Sequence, residues 1–509
     1  MLMSNTLRTL LASHHGELPA LGAPDRGWLS YAGLRKLSGD VANQLASFGI
    51  TSGDRVAIVL PNGPEMAAAF ITIAQSVTTA PLNPAYKQDE YEFYLDDLNA
   101  KALVVMAGEN GPAVAAATKL GTQILRLYVE NGAPAGHFSL SATGAGSTVS
   151  AVDANSDDVA LILHTSGTTS RPKIVPLLHR NLVASAINIK TALALTPQDR
   201  CMNVMPLFHI HGLIAAVSAS LAAGGSVWCA PGFDALRFFS WMQAAQPTWY
   251  TAVPTMHQTI LSRAPRNAGV IAAVPLRFLR SSSASLPAQV MEALASTFNA
   301  PVIEAYGMTE ATHQMASNPL PPRAQKPGSV GIAAGPEVRI AHELENHLVD
   351  GIGEIVISGE NVTPGYESNP EANAKNFFEA DGKRWFRTGD QGSLDEEGYL
   401  SLTGRLKEII NRGGEKISPL EVDGILMDHP AIAQVVTFAL PHPKLGEEVA
   451  AAVVLRDDQD TTEANIRSFA STRLAEFKVP RKVIIMDEIP KGATGKMQRI
   501  GLAEKLGLA

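Results

Sequence analysis

Short apolar runs punctuate the first third of the chain: VAIVLP at 56–61, ALVVM at 102–106 and VALILHTSG at 159–167. Each is rich in valine, leucine and isoleucine, is too brief for an ordinary helix, and predicts a buried strand. Between the first two lies MAAAFITIAQS (66–76), apolar all round, which predicts a buried helix. Strand, helix and strand in that rhythm predict βαβ units and parallel sheets, the α/β fold class. Glu130–Asn155 is rich in Gly, Ala, Ser and Thr and predicts a connection or a sheet edge. Gly351–Tyr366 (GIGEIVISGENVTPGY) predicts strands with tight turns, a smaller β unit.

The pattern changes near Gly404–Glu408. GYLSLTGR (398–405) predicts turn, strand and turn. After it come βαβ-like signals: a capped helix in SPLEVDGILMDHP, strands in VVTFAL and VAAAVVL, and a helix in ANIRSFASTRLAEF. The expected organisation is a large N-terminal domain over 1–404 and a small α+β C-terminal domain over 405–509. The large domain should hold βαβ-type sheets packed with helices, plus the small β unit. No repeat of fixed short period is visible.

Composition narrows the functional classes. The chain has 509 residues, 46% hydrophobic and 18% charged, which suits a soluble globular protein. Forty-one basic and 49 acidic residues give a net charge of −8, which disfavours a nucleic-acid partner held by phosphate attraction. The residues before Arg405 carry all of that charge, since the remainder is neutral. Cys201 and Cys229 are the only cysteines, excluding a disulfide framework and a cysteine-based zinc site. The longest apolar stretch, Leu213–Ala223, is about half the roughly 20 residues of a membrane span. The N-terminus does not read as a secretory leader, and the final GLA is not a peroxisomal signal, so a cytoplasmic protein is expected.

The strongest local signal is TSGTTSRPK (165–173), directly after an apolar strand. The backbone and hydroxyls of Thr165, Ser166, Gly167, Thr168 and Thr169 can face a polyphosphate, and Lys173 adds a mobile positive charge. A Walker A loop is absent, and a plain Ser/Thr-rich turn is the alternative. Six more motifs follow in order: PLFHIHG (206–212), EAYGMTE (304–310), WFRTGD (385–390), YLSLTGRLKE (399–408), GGEKI (413–417) and PKGATGKMQR (490–499). Together they resemble the ANL superfamily of adenylate-forming enzymes, which includes acyl-CoA synthetases, adenylation domains and luciferases. The resemblance spans nearly the whole chain.

That resemblance implies a two-step reaction. A carboxylate attacks the α-phosphorus of ATP, and a thiol then displaces AMP from the acyl-adenylate. ATP would lie against Ala305, Tyr306, Gly307, Met308 and Thr309 as well as the loop at 165–173. Tyr306 would offer its face to adenine, or serve simply as a core tyrosine. Glu310 and Thr168 would hold Mg²⁺, a hard ion wanting oxygen ligands, unless Glu310 is an ordinary surface carboxylate. Asp390 and Arg405 would bind the ribose, and an ion pair between them is compatible with that role. Lys496 would bridge carboxylate and phosphate in the transition state, so Lys496, Thr309 and Glu310 form the expected catalytic set. A lysine so far along the chain implies a mobile C-terminal domain, with Lys407 as its hinge. Gly413 and Gly414 would line the pantetheine tunnel for coenzyme A. Monomer and homodimer are both open.

Two departures concern the loops. Ser170 and Ile174 stand where the family often has glycine, and SSASL (282–286) replaces a GGAPL-like loop. The acyl region carries His209, His211, Ser281, Ser282, Ser283, Ser285, Thr312 and His313. Such polar groups would lose water without replacement against a fatty chain. They suit a short acid with a second polar or anionic group, bound by His209, His211, Ser283 and His313, although several of them could instead be structural. A finer resemblance is to oxalate–CoA ligases of plants and fungi, carried by HTSGTTSRPK, PLFHIHGL, AVPTMHQ, RSSSASL, EAYGMTEATHQMASNPLP and NRGGEKISP. The alternatives are a CoA ligase for another short, medium-chain or aromatic acid, or an adenylation enzyme charging a carrier protein. A luciferase-like oxygenase and a nucleotide sensor are more distant readings.

Overall fold

A computed structural model describes residues 5–142, 153–165, 172–457, 459–491 and 497–508. Its first sheet has seven strands. Gln123–Tyr128, Ala102–Met106, Arg55–Val59, Thr78–Pro81 and Val159–Thr165 run parallel in that spatial order. Ser139–Ala142 and Lys173–Leu178 close the two edges antiparallel. The apolar runs at 56–61 and 102–106 and the described part of the third, 159–165, thus supply strands, as their composition predicts. The Gly/Ala/Ser/Thr-rich stretch contributes the edge strand Ser139–Ala142.

A second sheet has nine strands. Its centre is parallel, through Val302–Met308, Phe278–Ser282, Trp249–Ala252, Arg200–Asn203 and Ser226–Cys229. Helix Pro64–Ile73 touches strands of both sheets, and every residue in it except Glu65 is buried. Burial on all sides explains why its sequence is apolar all round rather than striped. The apolar stretch after PLFHIHG forms a buried π-helix, His211–Ser218, with His211 at its first position. Such wide turns recur at functional sites.

A third, five-stranded antiparallel sheet holds Gly353–Ser358, Lys383–Leu394 and Leu400–Arg405. Two expectations need correction here. The strand continues through Gly404 and Arg405, which pair with Gln391 and Asp390, so the second turn expected in GYLSLTGR is strand instead. In Gly351–Tyr366 only Gly353–Ser358 is a strand, because the rest spends its polar groups on other parts of the chain rather than on a ladder.

The last sheet begins at Ile410 and has its own core, including Ile410, Ile417, Val422, Leu426 and Ile466. Ser418 caps helix Pro419–Met427, accepting from Glu421 N at 3.1 Å. The strands Ile432–His442 and Gly446–Leu455 form an antiparallel hairpin, not a βαβ unit, because the connection at 443–445 is too short for a crossover. A parallel pair joins Gly446–Leu455 to Lys482–Ile485 through helix Glu463–Ser471. That helix stops six residues before the expected end. Ile466, Ala470 and Leu474 keep a helical period, but Leu474 reaches the core from a turn.

Candidate active site

Three neighbouring parallel strands, Trp249–Ala252, Phe278–Ser282 and Val302–Met308, end at one edge of the large sheet. Ligands in α/β folds gather beyond such carboxyl ends. The chain leaves Met308 through a tight turn, Thr309–Ala311, and returns as His313–Ser317. Thr312 (φ 50°) and His313 (φ 96°) are left-handed, which reverses the chain within so few residues. Gly307 is required by contact. A Cβ there would sit 1.8 Å from the carbonyl oxygen of His313. Ala305 and Met308 lie in the same strand, Ala305 buried and Met308 packed against the core.

Glu310 is 5% exposed, so it is not a surface carboxylate. Its Oε1 accepts from the Tyr366 hydroxyl at 2.8 Å, and burial raises its pKa above the ordinary carboxylate range. Lys173 Nζ lies 4.4 Å above the centre of the Tyr366 ring, and burial lowers its pKa. Tyr366 therefore joins Lys173 to the acid of the turn. Thr165 and Lys173 face each other in the hairpin, whereas Ser166, Gly167, Thr168, Thr169 and Ser170 lie outside the described residues. Lys496 also lies outside them.

The segment 361–367 fastens this arrangement. Asn361 Nδ2 donates to Ala311 O at 2.7 Å, Thr363 Oγ1 donates to Pro176 O at 2.7 Å, and Thr363 N donates to Glu310 O at 2.8 Å. Sequence reading missed Asn361, Thr363 and Tyr366. The available signal was a dense polar run, NVTPGYESN, after a strand that had already ended.

Tyr306 is 8% exposed and donates its hydroxyl to Asp390 Oδ2. Asp390 in turn lies 3.3 Å from Arg405 Nε, so the ion pair that the sequence allowed is present. Tyr306 is thus both a packed tyrosine and the partner of the acid in WFRTGD.

The acyl-region residues divide. His211 is fully buried, with Nδ1 at 3.0 Å from Ser283 Oγ and Nε2 at 2.6 Å from Thr251 Oγ1. The His313 ring lies 5.2 Å from it, and His209 Nδ1 accepts from His211 N at 3.3 Å. His209, His211, Ser283 and His313 are therefore gathered together. Other polar positions drop out of the expected pocket. Ser282 donates to Ala305 O and Thr312 to Asn361 O, while Ser285 is exposed. Ser281 pairs in register with Glu304, on the other face of the sheet from Arg280. Arg280 itself, wholly buried beside His211, went unnoticed; the signal was a charge inside the apolar strand FLRSS.

Gly413 and Gly414 form the turn between Ile410–Arg412 and Glu415–Ile417, with φ of 61° and 99°. Among the described residues, no atom outside its chain neighbours lies within 4 Å of a Cβ built on Gly414. Lys407 is exposed in the turn between the third and last sheets, where Glu408 N and Ile409 N both donate to Arg405 O. Lys416 Nζ pairs with Glu343, which also accepts from Gln391, linking the glycine hairpin to the large unit.

No group of three or more His, Cys, Asp or Glu suited to a metal occurs among the described residues. A magnesium ion arriving with a nucleotide is a different case. Glu310 fits it, because a buried carboxylate supplies a hard oxygen donor whose charge such an ion would offset.

Residues 11–367 match the sequence profile described as AMP-binding enzyme, and residues 421–496 match the AMP-binding enzyme C-terminal domain. The chain belongs to the AMP-binding enzyme family. An oxalate–CoA ligase of Arabidopsis thaliana is 45% identical over 509 residues, covering 97% of this enzyme and 98% of the relative. An oxalate–CoA ligase of Saccharomyces cerevisiae is 43% identical over 476 residues, covering 89% and 86%. The crystal structure of ATP-bound MatB from Rhodopseudomonas palustris superposes with a TM-score of 0.87 at 30% identity, covering 99% of each chain. This AMP-binding enzyme thus has the adenylate-forming fold throughout. Among the described residues, no helix is long and apolar enough to cross a membrane.

Proposed function

We propose that the acid activated by this AMP-forming acid–CoA ligase is oxalate. The supporting observation is the gathering of His211, Ser283 and His313 at the carboxyl ends of the strands, in a chain 45% identical to an oxalate–CoA ligase. A compact set of polar donors suits an acid with two carboxylates and no apolar tail.

In this reading one carboxylate of oxalate attacks the α-phosphorus of ATP while His313 and Ser283, the latter oriented by His211, hold the other. Lys173 and the loop at 165–169 receive the β- and γ-phosphates. Thr309 hydrogen-bonds the α-phosphate, Tyr306 lies against adenine, and Asp390 with Arg405 takes the ribose hydroxyls. Glu310, with Thr168, would hold Mg²⁺, which neutralises phosphate charge when bound. Lys496 bridges the attacking carboxylate and the phosphate, so its charge acts where negative charge gathers. The C-terminal unit, 405–509, then turns about Lys407. That motion brings the Gly413–Gly414 turn to the site, where the thiol of coenzyme A displaces AMP. Residues 1–404 supply the rest of the nucleotide and acid site. Both cysteines are free and buried, which accords with a cytoplasmic enzyme.

The test is product identity. Purified enzyme with ATP, Mg²⁺, coenzyme A and oxalate should yield oxalyl-CoA, AMP and pyrophosphate in equal amounts, read by mass spectrometry and pyrophosphate release. Pyrophosphate without a CoA thioester would instead support charging of a carrier protein, and no oxalate-dependent pyrophosphate would reject the proposal.

A further inference from the structure

Arg280 is the residue that the acyl site leaves unexplained. It lies in strand Phe278–Ser282 and is fully buried. Its Nη1 donates to His211 Nε2 at 3.4 Å and to Thr251 Oγ1 at 3.5 Å, and its Nη2 donates to Gln314 Oε1 at 3.2 Å. Its Nε has no acceptor among the described residues. No carboxylate pairs with it among the described residues. The nearest acid along the sheet, Glu304, is in register with Ser281 and so occupies the opposite face. A guanidinium buried among hydroxyl, amide and imidazole groups is costly unless an anion comes to it.

The hydrogen-bonding chemistry runs in one direction. A guanidinium has donors only, so His211 Nε2 meets Arg280 and Thr251 with its lone pair. The proton of a neutral His211 then sits on Nδ1 and is aimed at Ser283 Oγ, 3.0 Å away. Ser283, accepting from His211, keeps its own hydroxyl proton for another acceptor. It is partly exposed, one residue past the end of strand Phe278–Ser282, with a left-handed backbone (φ 76°). Arg280, His211 and Ser283 thus form a polarised donor chain that starts at a fixed positive charge.

We propose that Arg280 is a positioning residue that sets the preference for an acid with a second negative charge. It orients His211 and, through Ser283, directs a donor and a positive potential at the distal carboxylate. This inference rests on the oxalate reading. The distal carboxylate does not react, so its contacts hold substrate and transition state alike, and their loss falls on KM rather than kcat.

The experiment compares oxalate with oxamate, which has the same shape but ends in a neutral amide, in steady-state pyrophosphate release. The wild type should prefer oxalate. Arg280→Met should lower kcat/KM for oxalate by about 30-fold or more, mostly through KM, as for one partner lost from a buried charge pair. Oxamate should change by less than about 3-fold, because it carries no distal charge to lose. Arg280→Lys should recover part of the oxalate preference. Gln314→Glu places a carboxylate of nearly equal shape against Arg280 and neutralises it internally. It should lower the oxalate-to-oxamate ratio by roughly 10-fold in a folded protein, and it decides the matter if Arg280→Met does not fold. A wild-type enzyme that does not prefer oxalate overturns the oxalate reading and this inference with it. A wild-type preference that survives both substitutions overturns this inference alone.

Discussion

The Tyr366 hydroxyl donates a 2.8 Å hydrogen bond to Glu310, an acid 56 residues earlier in the chain. That bond ties an irregular loop to the turn after the strand Val302–Met308, and Lys173 lies over the same tyrosine ring. One phenol thereby connects the two segments read as phosphate- and magnesium-binding.

Tyr366→Phe should slow adenylation by roughly 10-fold, the scale of a lost hydrogen bond to a charged group. The direction with pH follows from Glu310. Burial already raises its pKa, and the bond from Tyr366 opposes that rise. Without the bond the pKa climbs further, so the acid limb of the pH–rate profile should move to higher pH. An acid limb in the same place for both proteins would show that Glu310 is not the group titrating there.

Glu304 offers a test in stability. Burial pushes its carboxyl up to about 8, although Leu286 N donates to Oε1 at 2.9 Å. Unfolded, the same group titrates near about 4.3. The folded state therefore holds a proton that the unfolded state loses, and this contribution is full below about 4.3 and is lost as pH rises through about 8. Glu304→Gln mimics the protonated form. It should match the wild type near pH 4 and exceed it by a few kcal/mol at pH 9, measured as denaturant midpoints. Parallel pH curves for the two proteins would mean that Glu304 is ionised when folded.

Much of this arrangement was legible because the residues that meet are held in contiguous motifs. EAYGMTE contains Tyr306, Gly307 and Glu310 in one strand and turn, and WFRTGD with LTGR gives the paired Asp390 and Arg405. The strands at 56–61 and 102–106 declared themselves by apolar composition. What could not be read depended on contacts between distant segments. Asn361 holds the carbonyl of Ala311, and Arg280 meets His211 across 69 residues. A lone Asn in a loop or Arg in a strand carries no local pattern that names its partner. The hairpin Ile432–His442 with Gly446–Leu455 was misread because apolar runs give strands without their direction.

Lys407→Pro should separate the two half-reactions. Proline fixes φ and removes an N–H at the turn between the large unit and the last sheet. Pyrophosphate exchange, which reports adenylation, should persist, while thioester formation collapses. Unchanged overall turnover would show that residue 407 is not the pivot.

Lys496→Ala should give the opposite pattern. Loss of the bridging charge should cost on the order of 4 kcal/mol or more in adenylate formation. Transfer to coenzyme A from supplied acyl-adenylate should survive far better, because the proposed domain turn would carry the lysine away before that step. Equal loss in both halves would falsify the bridging role.

The central claim is the identity of the acid, and a substrate panel tests it most directly. kcat/KM for CoA-dependent pyrophosphate release should be measured with oxalate, acetate, butyrate, octanoate and benzoate under one set of conditions. The site around His211, Ser283 and His313 predicts oxalate above every monoacid. A higher kcat/KM for octanoate or benzoate would contradict the account.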